Sequence, residues 1–152
     1  MKKQIIVSFS IVLLLTACKK VDVVVFGKSA SDKEKSNEVI KECYSYEKDG
    51  TSISMQIETT GEDVLGAMVY NLAEKDKNAG LLKGKWEKNI LLLDYTFLSE
   101  GTESTRQVAF ALKDGQLIEG YGEMNEDGTE FKDISALKFS SSMPLSKINC
   151  PK

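Results

Sequence analysis

The stretch YSYEKDGTSISMQIETTGEDVLGAMVY, Tyr44 to Tyr70, decides the fold. Apolar and polar residues alternate along it, and Asp49-Gly50 and Gly61-Glu62 interrupt the alternation with pairs suited to two-residue hairpin turns. Such a turn fixes which residues face each other across the hairpin. Around Asp49-Gly50, Tyr46 opposes Ile53 and Tyr44 opposes Met55. Around Gly61-Glu62, Met55 opposes Met68 and Ile53 opposes Tyr70. Both turns put the same side of the middle strand inward, so the stretch reads as a meander with one apolar face.

Working outward, Lys88-Asn89 and Asp114-Gly115 supply two further turns. They set Trp86 against Leu91, Gly84 against Leu93 and Leu82 against Tyr95, then Leu112 against Leu117, Phe110 against Glu119, Val108 against Tyr121 and Arg106 against Glu123. On this register all five tyrosines (Tyr44, Tyr46, Tyr70, Tyr95, Tyr121) and Trp86 point inward with the aliphatic residues. Ser45, Glu47, Ser52, Ser54, Gln56, Lys83, Lys85 and Asp94 point to water. Gly66, Gly80 and Gly84 fall on the inner face, where a missing side chain lets a small barrel coil at its corners. The tail from Met143 to Cys150 adds a strand, and Thr129 to Phe139 reads as part strand and part turn. The expected fold is all-β: an antiparallel up-and-down barrel of the calycin-like kind, with about eight strands, over residues 43–152. An open sandwich is the other arrangement this pattern fits.

The amino terminus carries an address. Lys2 and Lys3 precede an apolar run from Ile5 to Leu15 that is too short to span a bilayer and has the order of a secretory signal peptide. It ends on Leu15-Thr16-Ala17-Cys18, which resembles the lipobox of bacterial lipoproteins. The resemblance implies cleavage after residue 17, a diacylglycerol on the Cys18 sulfur and an acylated new amino terminus. The expected address is the cell envelope, on the outer membrane, facing the periplasm or the surface. With Cys18 lipidated, Cys43 and Cys150 remain as a pair, and an oxidising compartment lets them form a disulfide between the two edges that barrel closure brings together. Residues 18–42 read as the lipidated cysteine and a solvated tether, in which Ser31 with Glu34 fits a capping box. The patch VDVVVF, Val21 to Phe26, suits either the membrane surface or the domain.

Residue chemistry excludes several functions. The chain has no histidine, which removes Ser-His-Asp and Cys-His catalysis and histidine metal sites. A net charge of −3 argues against a nucleic-acid partner. The run EKDKN, Glu74 to Asn78, spaces oxygen ligands for calcium, but its lysines and the lack of a calcium-loop glycine favour a plain charged turn. The register brings Arg106, Glu119 and Glu123 inward beside Tyr95 and Tyr121. Since a buried charge needs a partner, these form either an Arg106–Glu123 ion pair near the barrel mouth or the polar anchor of an aromatic pocket.

The segments DYTFLSEGTESTRQVAF (Asp94 to Phe110), EGYGE (Glu119 to Glu123) and YNLAEKDKNAG (Tyr70 to Gly80), with the flanking Cys43 and Cys150, resemble a group of small lipoproteins of the Bacteroidota. A weaker similarity, through Ser99-Glu100-Gly101, is to the membrane-bound lysozyme inhibitors, lipid-anchored β-barrels whose Ser-Gly loop enters the lysozyme cleft. The expected function is a non-enzymatic envelope binding module without a cofactor. It would hold a small apolar or aromatic ligand on Arg106, Glu119, Glu123, Tyr95 and Tyr121. The alternative is a protein-facing module, an inhibitor or assembly factor, that uses loops Ser99 to Glu103 and Asn125 to Thr129.

Overall fold

Alternation of β-branched and aromatic residues with polar ones makes each segment a half-buried strand, and turn pairs reverse the chain between them. The computed structural model describes residues 38–73, 75, 77–99 and 101–151. The signal peptide, Cys18, the capping box and Val21 to Phe26 lie outside the described residues. The strands are β1 (Val39–Lys48), β2 (Thr51–Thr60), β3 (Asp63–Asn71), β4 (Asn78–Glu87), β5 (Ile90–Ser99), β6 (Thr102–Lys113), β7 (Gln116–Tyr121), β8 (Lys138–Phe139) and β9 (Leu145–Ile148). Strand β1 begins at Val39, ahead of the boundary expected at Cys43. Asp49, Gly50, Asp114 and Gly115 all have positive φ, as a two-residue turn with the strand's own twist demands.

Strands β1 to β7 pair consecutively, and β9 joins β7 to β1, so eight antiparallel strands close into a barrel; β8 is an extra strand on β7. The first three turns give the expected partners, including Tyr44 with Met55, Ile53 with Tyr70 and Leu82 with Tyr95. Closure is narrow. Strand β9 meets β1 over Cys43 to Ser45 and β7 over Gln116 and Leu117 only. The Cys43–Cys150 disulfide fastens that seam, with Cα atoms 5.1 Å apart, and Lys147 pairs with Glu42 across it.

The interior is filled with side chains. Tyr95, Phe110, Ile57, Met68, Leu91 and Leu117 are fully buried, and Tyr44, Ile53, Met55, Leu82, Leu93, Val108 and Leu145 pack with them. Tyr46 and Trp86 pack against this core while partly exposed. A methyl group at Gly66 would meet the Gln56 carbonyl oxygen, and one at Gly84 would meet that of Leu92. Bare backbone at these positions lets neighbouring strands approach as the sheet coils. The outer face is less uniformly polar than expected: Leu65, Leu81 and Leu98 on β3, β4 and β5 are exposed.

The barrel has two distinct poles. At one, β1 begins and the turns at Gly61, Lys88 and Asp114 cluster, with β9 running toward them. At the other lie the ends of β3, β5 and β7 and the starts of β4 and β6, which form the mouth.

The β6–β7 ladder corrects the sequence reading. It runs from Lys113–Gln116 to Ala109–Gly120 and stops, so Val108 does not pair with Tyr121, nor Arg106 with Glu123. Beyond Tyr121 the chain swings into a second small hairpin bridged by Met124 and Phe131, and the Gln107 N–H donates to the Thr129 carbonyl instead. The cause is packing over two glycines. A side chain at Gly120 would occupy the place of the Phe139 ring, and one at Gly122 that of Leu137. Phe139 belongs to β8 and Leu137 follows a 3-10 turn at Ile134–Ala136, so the segment read as part strand and part turn is the one that draws β7 away.

Candidate functional site

Two strands carry aromatic rings to the mouth on their inner faces: Tyr70 is the last residue but one of β3, and Tyr95 and Phe97 lie near the end of β5. Tyr95 and Phe97 stack at 4.9 Å, and Tyr70 meets the Tyr95 ring edge-on at 5.8 Å. The Tyr95 hydroxyl donates to the Met68 carbonyl at 3.4 Å, which satisfies the phenol of a buried ring. Arg106 of β6, paired with Tyr95 across the sheet, lays its guanidinium 5.5 to 6.0 Å from the centres of the Tyr70, Tyr95 and Phe97 rings. This is cation–π range.

Glu119 of β7 faces the same space. Its Oε1 accepts a 2.8 Å hydrogen bond from the Tyr70 hydroxyl, and its Oε2 accepts one of 3.3 Å from Tyr121. Burial pushes the Glu119 carboxyl up from its ordinary value, against the two phenol bonds and the Arg106 charge, which pull it down. Burial also raises Tyr70, with the Glu119 charge adding to it. Two phenols therefore hold Glu119, and among the described residues Arg106 makes no ion pair with any carboxylate. A pocket of about 320 Å³ opens beside them, lined also by Leu72, Lys75, Asn78 and Met143.

No family model, curated protein or solved structure matches the chain. Its chemistry has to be read from these side chains alone.

Of the residues expected to form a site, Arg106, Glu119, Tyr95 and Tyr121 come together. Tyr121 is not a core residue, however: 48% of it is exposed, and it forms the rim. Glu123 is absent from the site, because β7 has left the ladder before reaching it; it points to solvent and pairs with Lys132 at 3.6 Å. The sequence reading missed Tyr70, Phe97, Leu72, Lys75, Asn78 and Met143. The first two were legible, since the hairpin register already placed Tyr70 inward and Phe97 is one inward step beyond Tyr95. In the loop from 125 to 129, the Asn125 side-chain Oδ1 accepts the Thr129 N–H at 2.9 Å and the Glu130 N–H at 3.3 Å, so the turn is closed on itself. Glu100 of the other candidate loop, and Glu74 and Asp76 of EKDKN, lie outside the described residues. Among the described residues, no group of three or more acidic or cysteine side chains is placed to hold a metal ion.

The raised Glu119 carboxyl has a consequence for stability. A group with a raised folded-state pKa favours the native state below its unfolded value and withdraws that contribution as pH rises through the folded value. Arg106, Tyr70 and Tyr121 are the ionisable groups that face it. Glu119→Gln keeps an acceptor for Tyr70 and removes the ionisation. Urea midpoints between about pH 4 and pH 8 are expected to fall further with rising pH in the wild type than in the variant. Parallel profiles would show that Glu119 ionises without penalty.

Proposed function

We propose that the chain is a non-enzymatic binding module of the bacterial envelope, lipidated on Cys18, whose barrel mouth takes one small ligand with an apolar or aromatic body. What supports this is the state of Arg106. An exposed arginine can turn to a carboxylate, yet Glu119, which lines the same pocket, accepts its bonds from two phenols. The guanidinium lies instead on three rings at the edge of an open pocket, the arrangement of a polar anchor in a mostly apolar ligand site. A filled interior favours the rim over the inside of the barrel, where the sequence pointed, as the place for a ligand.

Native mass spectrometry of the chain purified from host membranes tests both parts. The covalent mass is expected to end at a diacylglyceryl-modified Cys18, and the native mass to exceed it by one small molecule that organic extraction removes. An unmodified Cys18 in the membrane fraction would sink the address. A native mass equal to the covalent one, or a co-purifying protein in place of the small molecule, would sink the ligand reading in favour of the protein-facing module.

A further inference from the structure

We infer that the mouth reads a single negative charge: its ligand is a monoanion of the carboxylate class whose oxygens take the free donors of Arg106. The inference rests on the mouth-pocket reading above and specifies its chemistry.

Arg106 carries five N–H donors in a planar fork, which matches a carboxylate through two parallel hydrogen bonds. The rings of Tyr70, Tyr95 and Phe97 hold the guanidinium. An oxyanion arriving there meets a pre-set partner rather than a long, freely rotating side chain, and less entropy is lost on binding. Asn78, on the same pocket wall, adds an amide donor.

Charge decides between anion and cation. Among the described residues, the lining holds two cations, Arg106 and Lys75, and one carboxylate, Glu119. A cationic ligand would face these two like charges, and Glu119, the described carboxylate opposing them, already accepts bonds from Tyr70 and Tyr121. A monoanion brings the lining to neutrality. A dianion such as a phosphate monoester would overfill it beside Glu119.

Shape sets the rest of the molecule. Leu72, Met143 and the Tyr70 and Tyr121 rings supply the apolar wall. A volume of about 320 Å³ is roughly twice that of the 150 Å³ cavity that holds benzene, so a two-ring or short-chain body fits.

Four probes share one body and differ in charge: 2-naphthoate, 2-naphthamide, 2-naphthylmethylamine and 2-naphthyl phosphate. Each is titrated into the chain from residue 18 onward, carrying Cys18→Ser, and followed by NMR shifts of the mouth residues. Naphthoate is expected to bind about ten- to a hundredfold more tightly than the near-isosteric amide, the range of a charge-assisted hydrogen bond. Arg106→Gln is expected to bring the two probes to within about twofold of each other, naphthoate losing far more affinity than the amide. Equal binding of acid and amide would overturn the charge inference and leave the pocket intact. Tightest binding by the amine or the phosphate would overturn it in the same way. Failure of all four to shift the mouth residues would overturn the pocket reading, and the charge inference with it.

Discussion

Replacing Cys43 and Cys150 together by alanine is expected to cost about 3 to 5 kcal/mol of stability, because the bridge closes a loop spanning 107 residues. The reason for a large effect is local as well as entropic. Strand β9 has four residues and reaches β1 and β7 through a handful of pairings, so besides the bridge it is held by the Lys147–Glu42 pair, the Gln116–Ser146 hydrogen bond and the one buried side chain, Leu145. Once β9 detaches, β1 and β7 become open edges, which invite pairing with other chains. Urea unfolding with and without reductant measures the first effect, and amide exchange at Leu145 to Ile148 the second. A reductant-induced change below about 1 kcal/mol would mean that β9 closes the barrel unaided.

Phe110→Ala carries the other large effect, about 3 to 5 kcal/mol, and it separates a filled barrel from a hollow one. Phe110 is fully buried on β6, with Leu91 across the sheet on one side and Glu119 on the other. Deleting a ring from a packed interior loses its transfer energy and leaves a cavity that neighbours refill only in part. If the barrel held space for a ligand, the neighbours would relax into it and the cost would fall toward 1 kcal/mol, roughly that of a tolerant site. Naphthoate affinity at the rim provides the companion measurement: it is expected to stay near the wild-type value in Phe110→Ala, since the ring does not line the mouth.

Most of the barrel was legible because two-residue turns leave no freedom in register: Asp49-Gly50 alone fixes every partner of β1 along β2. The tail strand could be placed by eye, though it is shorter than Met143 to Cys150. What could not be read was the departure of β7. The period-two pattern continues through Glu119, Tyr121 and Glu123, so extrapolating the register was reasonable and led to a pair that does not form. The path of a chain at Gly120 and Gly122 is set by what packs over them. Phe139 and Leu137 come from a later segment, and nothing in the local pattern announces them. The site shows the same division. Arg106, Glu119 and Tyr95 sit on register-fixed strands and were found, whereas Leu72, Lys75 and Met143 enter from connections whose course a turn rule does not determine.

The opposition of the two poles has a practical meaning. The described chain enters the barrel at its foot, beside the turns of Gly61, Lys88 and Asp114, and β9 carries its other end back in that direction. The barrel domain by itself is held at its foot and open at its rim. A fusion partner, an affinity tag or a surface linker joined directly ahead of β1 or behind β9 should leave Arg106 and its rings reachable, and the immobilised barrel should bind naphthoate as freely as protein in solution.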